Sequence, residues 1–160
     1  MAEIGGRGVV ERIRECWTPF AAAVDGLDEA ELVRPLGHGW TAKEMLAHVA
    51  FWDEAVAGAV TAMFRGQPLP EGWGFGSGYV PDRGEWPSAT VHNAREAAWA
   101  RGQALEAVLA RLRTAHAGLL EFTATVTDEE VAAHAEYFAH LGDHYGEHLK
   151  DLEGVGQAKN

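Results

Sequence analysis

Apolar residues recur three and four positions apart along nearly the whole chain. That is the period of a helix with one buried face, and no stretch alternates as a strand would. Four long helices are predicted. The first runs from about Val9 to Val24. The segment "DGLDEAELVRPLGHG" then interrupts it with glycine, proline and acidic residues that suit a loop, with room for one short helical turn. The second helix opens at "TAKE", where Thr41 can cap free amides and Glu44 can reach back to close a capping box. Met45, Val49, Trp52, Val56, Ala59, Val60 and Met63 form its apolar stripe, and His48 falls on the same face. The third begins near Thr90 and directs Ala98, Gly102, Leu105, Leu109, Leu112, His116 and Leu119 inward. The fourth follows "TVTDEE", with Thr127 and Glu130 as a second capping box, and carries Tyr137, Leu141, His144, His148 and Leu152 on one stripe. Residues from Gly154 on, 155–160 above all, read as a frayed tail.

The connection between the second and third helices, "GQPLPEGWGFGSGYVPDRGEWPSA", is too rich in glycine and proline for a helix and too long for a simple turn. Such a segment can extend roughly 80 Å, enough to pass the full length of a ~37 Å helix and let the third run parallel to the second. The other two connections are short and imply antiparallel neighbours. The expected fold is therefore all-α, a four-helix bundle of up-down-down-up order with a long crossover between helices 2 and 3.

Composition narrows the partners. With 160 residues, 47% of them hydrophobic, the chain suits one domain spanning 1–160 with its own core. The net charge of -11 argues against nucleic acid and against anionic membrane surfaces. No stretch has the apolar length of a transmembrane helix, and the N-terminus lacks a signal-peptide core, so the expected location is cytoplasmic. The only cysteine, Cys16, cannot form an internal disulfide, and a buried structural thiol is preferred for it over a reactive one.

The candidate chemistry lies in the histidines. In "GDHYGEHLKDL", His144 and His148 are four residues apart and share a helix face. In the up-down-down-up order, His48 early in helix 2 comes to the same end as this pair late in helix 4. His116 falls at the far end. His140 is rotated about 80° from His148, too far for it to point easily at one centre with the pair. His92 begins helix 3 at the candidate end, as a fourth ligand or a group behind the ligands. Three converging imidazoles suit an open site for a divalent first-row metal, zinc or nickel first, with water completing the shell. The competing reading is structural, because histidines at this spacing arise by chance and a buried histidine is commonly satisfied by a carbonyl. The metal is preferred because His48 and the pair interrupt otherwise apolar stripes, where three imidazoles without ligands would be costly to desolvate. "HYGEH" is not the zinc-protease pattern, since its glutamate precedes the second histidine instead of following the first.

"GHGWTAKEMLAHVAFWDEAV", followed by "HNAREAAWARG" and "DHYGEHLKDL", resembles the DinB/YfiT-like superfamily from about His38 to Leu152. The resemblance implies a small up-down-down-up bundle, often dimeric, that binds a divalent metal through one histidine on the second helix and two on the fourth. Here these are His48, His144 and His148. It also implies kinship with thiol-dependent transferases and isomerases that use mycothiol, bacillithiol or glutathione. "VHNAREAAWARG" is similar to the branch with maleylpyruvate-isomerase-like and colibactin-resistance-like proteins.

Beyond the metal, Asp151 either orients His148 or is a solvated carboxylate near a helix end, the second being preferred. His92 and Asn93 are candidate substrate contacts or caps of helix 3. Trp73, with Phe75, Tyr79 and Trp86, either forms a lid over a substrate pocket or pins the crossover to the bundle. Nothing in the sequence identifies a nucleophile, so a reacting thiol is expected from a low-molecular-weight cosubstrate. Two functions follow: a metal-dependent enzyme activating a small thiol or water for transfer, isomerisation or hydrolysis of a small molecule, or a non-catalytic binding or stress-response bundle whose metal is structural or absent. Surplus apolar residues Leu46 and Phe64 on helix 2, and Trp17 and Phe20 on helix 1, predict a homodimer, the competing reading being that the long crossover covers them.

Overall fold

A computed structural model describes residues 5–68 and 89–157. The crossover aromatics Trp73, Phe75, Tyr79 and Trp86 lie outside the described residues. Among those described there is no strand, only an isolated antiparallel bridge between Pro35 and Thr41. The all-α reading of the periodicity therefore holds. The chain separates into two compact units, Met1–Met45 with Leu120–Asn160, and Leu46–Leu119.

The first unit is built on α1 (Gly6–Asp25) and α9 (Asp143–Gln157), which pack against each other. Val9, Ile13, Phe20 and Val24 are buried positions of α1, at helical spacing. Trp17 and Phe20 meet the ring of Tyr145 on α9 at centroid distances of 5.1 and 5.5 Å. Such aromatic pairs add about 0.5–1.5 kcal/mol each beyond their buried area. No side chain of its own N-cap, Gly5, caps α1; instead Asp128 accepts a hydrogen bond from Gly6 N at 2.8 Å. That carboxylate satisfies a free amide and complements the positive end of the helix dipole.

The predicted loop after α1 contains one short helix, α2 (Glu29–Leu32), held by a capping box between Asp28 and Glu31. The capping box at the start of α3 (Ala42–Ala55) forms as expected, Thr41 N donating to Glu44 at 2.6 Å and Glu44 N to Thr41 Oγ1 at 3.2 Å. Two features of this helix depart from the sequence reading. Every residue from Glu44 to Phe51 is buried, so α3 is enclosed on all sides there and not along one stripe. The helix then widens into a π turn over Val56–Val60 before α4 (Thr61–Phe64), and Thr61 Oγ1 donates to the Val56 carbonyl at 2.7 Å. The wider turn shifts the register, leaving Val56 and Val60 only partly buried.

The third predicted helix is two. α5 (Ala89–Arg101) ends at Gly102, and α6 (Leu105–Thr123) starts three residues later. Glycine carries the largest backbone entropy cost within a helix and readily ends one. Leu112, His116 and Leu119 are buried as expected, whereas Ala98 and Gly102 are exposed. Within the second unit, Arg111 on α6 binds Glu54 on α3 through two hydrogen bonds of 2.9 and 2.8 Å, and Glu96 on α5 at 2.6 Å. Burial works against the charge of Arg111, but the two carboxylates outweigh it and raise its pKa above the ordinary value. The guanidinium also lies 4.5 Å from the centre of the Trp99 ring.

The fourth predicted helix is three: α7 (Asp128–Ala133), α8 (Ala135–Ala139) and α9. The Thr127–Glu130 capping box opens α7 as expected. Between α8 and α9, Gly142 has φ +98°, and a β-carbon there would lie 3.2 Å from both Cβ and Sγ of Cys16 on α1. Only glycine accommodates this backbone and this approach without strain. Cys16 is accordingly a packing residue against the Gly142 turn. At the other end α9 continues to Gln157 with Val155 buried, where the sequence suggested fraying from Gly154.

Candidate metal centre

His144 and His148 project from successive turns of α9, their ring centroids 4.6 Å apart and their planes at 75°. Their Nε2 atoms are 3.1 Å apart. Two nitrogens each ~2.1 Å from one tetrahedral ion would be separated by about 3.4 Å. Without an ion, the same spacing suits an N–H···N hydrogen bond with the proton on His144 Nε2. The Nδ1 atom of His148 lies 2.9 Å from Asp151 Oδ2, one turn further along the helix. A carboxylate at that nitrogen holds the ring in the Nδ1–H form and turns the Nε2 lone pair toward His144. This contact corrects the preference for a solvated Asp151. His38 Nε2 is 3.7 Å from the same carboxylate oxygen.

In the second unit, His48 is on α3 and 7% exposed. Its Nδ1 lies 2.8 Å from Oδ1 of Asn93 on α5, and that oxygen also accepts from Trp52 Nε1 at 3.1 Å. From the sequence, Asn93 is a candidate substrate contact or cap and Trp52 a core residue. Periodicity does not link either to the ring nitrogen of His48, and the asparagine is 45 residues from it. The signal that could find the link is chemical: an imidazole presenting one nitrogen to a metal needs an acceptor for the other.

His48, His144 and His148 together offer ligand nitrogens that all lie within 4.8 Å of one another, a group able to hold a metal ion. The donor set suits one chemically. Neutral imidazole is a good ligand for zinc and nickel, and two of the three rings have Nδ1 against an oxygen acceptor, the arrangement that leaves Nε2 for a cation.

The other histidine candidates are not in the group of three. His92 is 0% exposed and stacked on Phe51 at 5.0 Å, with burial first and Arg95 second in lowering its pKa. His140 is exposed and pairs with Asp143 at 2.8 Å, on the far side of the Gly142 turn from His144. The Gly142 turn takes His140 off the helix that carries the histidine pair. His116 is buried on α6 and is not in the group of three. Trp73 lies outside the described residues.

No helix among the described residues is long and apolar enough to cross a membrane. Comparison with curated proteins and with solved structures finds no match. The DinB superfamily profile matches residues 12–152, a span that includes all three clustered histidines, and the chain belongs to that superfamily.

Proposed function

We propose that the chain is a metal-dependent enzyme in which His48, His144 and His148 hold a divalent ion, zinc or nickel, that activates a small thiol or water for transfer, isomerisation or hydrolysis of a small molecule. The observation that supports this is the grouping of the three imidazoles within 4.8 Å. A bound ion supplies Lewis acidity, lowering the pKa of a thiol or water so that its anion is available near neutral pH. The protein's part is positional. Asp151 holds His148 through Nδ1 and so aims its Nε2 lone pair away from the carboxylate. Three neutral imidazoles leave the charge of a dication uncompensated, which suits binding of an anionic thiolate or hydroxide. The net charge of -11 raises the local concentration of cations and disfavours nucleic acid as a partner.

Cys16 is packed at the Gly142 turn, so the reacting thiol is assigned to a low-molecular-weight cosubstrate. An up-down-down-up four-helix bundle, a cytoplasmic location and assembly as a homodimer belong to the same proposal. The test has two parts. Metal content is measured on protein purified without a histidine tag, expected at one divalent ion per chain. Conjugation of small thiols to a panel of electrophiles is then followed with and without chelator. Chelator-sensitive turnover supports the enzyme. Stoichiometric metal with no turnover across thiols and hydrolytic substrates favours a non-catalytic binding bundle, and absence of metal removes the site's role.

A further inference from the structure

Trp52, Asn93 and His48 form a chain of hydrogen bonds whose directions can be deduced. An indole N–H only donates, so the Asn93 atom 3.1 Å from Trp52 Nε1 must be the amide oxygen and not the nitrogen. This settles the amide orientation, which the shape of the side chain alone leaves ambiguous. The same oxygen lies 2.8 Å from His48 Nδ1. An amide oxygen only accepts, so His48 Nδ1 must carry a proton, and in the neutral ring the lone pair is then on Nε2. Trp52 is one helical turn beyond His48 on α3, and Asn93 approaches both from α5.

We propose that Asn93, oriented by Trp52, is the positioning residue that fixes His48 as its Nδ1–H tautomer and so determines that His48 offers Nε2 to a metal ion. This rests on the metal-centre reading for its consequence, but the tautomer is a property of the metal-free protein. It also makes the two supported ligands unlike. His148 is backed by a carboxylate, whereas His48 is backed by a neutral amide that fixes direction without adding negative charge. A carboxylate in place of Asn93 would accept the same proton. A leucine could not, and would allow the proton to move to Nε2, where it blocks ligation.

The test uses untagged, metal-free protein labelled with nitrogen-15 histidine, read by two-bond proton–nitrogen correlation at neutral pH. The His48 signals are assigned by their loss in H48Q. The expected spectrum shows His48 protonated at Nδ1 and bare at Nε2, unchanged in N93D and redistributed toward Nε2–H in N93L. Zinc affinity, measured by competition with a chromophoric chelator, should fall about 10–100-fold in N93L and be kept or raised by up to about tenfold in N93D, whose carboxylate accepts the same proton and adds negative charge. W52F should lie between the parent protein and N93L, because the amide loses the donor that orients it. His48 protonated mainly at Nε2 in the parent protein overturns the proposal with no substitution needed. Equal zinc affinity and an unchanged tautomer in N93L, folded by circular dichroism, also overturn it. If the parent protein fails to bind zinc while the Nδ1–H tautomer depends on Asn93, the metal reading fails and the control of His48 by Asn93 is supported.

Discussion

Nε2 of His144 and Nε2 of His148 stand 3.1 Å apart on adjacent turns of α9, with Nδ1 of His148 held by Asp151. Removing one member of a closely spaced ligand pair leaves two imidazoles, too few for tight binding of a divalent ion without further protein ligands. H144A should abolish stoichiometric zinc or nickel binding in calorimetry, while helix content is retained. In metal-loaded crystals of the parent protein, metal–nitrogen distances of about 2.0–2.2 Å to His48, His144 and His148 are expected. Full occupancy in H144A would assign the metal to other ligands.

Asp151 should matter to metal binding more than to folding, since its side chain is about a third exposed. D151N keeps an acceptor but removes the negative charge behind His148. The expected loss is about tenfold in metal affinity, toward the lower end of the range for groups that orient metal ligands. A chelator competition assay measures it, and an unchanged affinity would show that the contact is only a surface hydrogen bond.

The Gly142 turn predicts a stability effect with no direct role for a ligand. A side chain there must adopt φ +98° and place its β-carbon 3.2 Å from Cys16 Sγ. Together, the left-handed backbone and the overpacking should cost G142A about 2–4 kcal/mol. Urea denaturation reads this as a lower midpoint at an unchanged slope. C16A on the same background should recover part of the loss, because it removes the Sγ contact but leaves the Cβ contact and the backbone strain.

Asp143, at the start of α9, has its pKa lowered below the usual carboxylate value, first by the hydrogen bond with His140 and then by Arg12. A folded-state pKa below the unfolded one means that the ionised form stabilises the fold. That contribution is complete above the unfolded pKa of ~3.9 and is lost as pH falls through the lower folded value. Thermal melts from pH 6 down to pH 2 should therefore show a shallower acid loss in D143N than in the parent protein. An identical pH dependence would mean that solvent screens the Arg12–Asp143–His140 cluster completely.

Of the residues that the sequence offers to a homodimer interface, Phe64 is exposed within the single chain and two others are not. Leu46 and Phe20 are both 0% exposed within the single chain, so neither is available to a second copy. Phe64, Val91 and Val33 are large apolar side chains left exposed among the described residues. Light scattering across a concentration series should give twice the 17.3 kDa chain mass. A mass that stays at the single-chain value at the highest concentration rejects the dimer.

Local chemistry makes much of the fold legible in the chain itself. The capping boxes at Thr41–Glu44 and Thr127–Glu130 each join residues three apart, and the helical period of α1 and α6 is a property of neighbouring turns. The His144–His148 pair is legible for the same reason, since a four-residue spacing fixes their proximity on any helix. The sequence by itself thus determined an all-helical chain with a histidine pair on one helix face. The break at Gly142 involves a more distant partner. Gly142 turns the chain where Cys16, far away in sequence, would crowd a β-carbon at 3.2 Å. Whether Asn93 was a cap, a substrate contact or the acceptor for His48 could be decided only when α3 and α5 came together, because an amide side chain suits all three roles equally until its neighbours are in place.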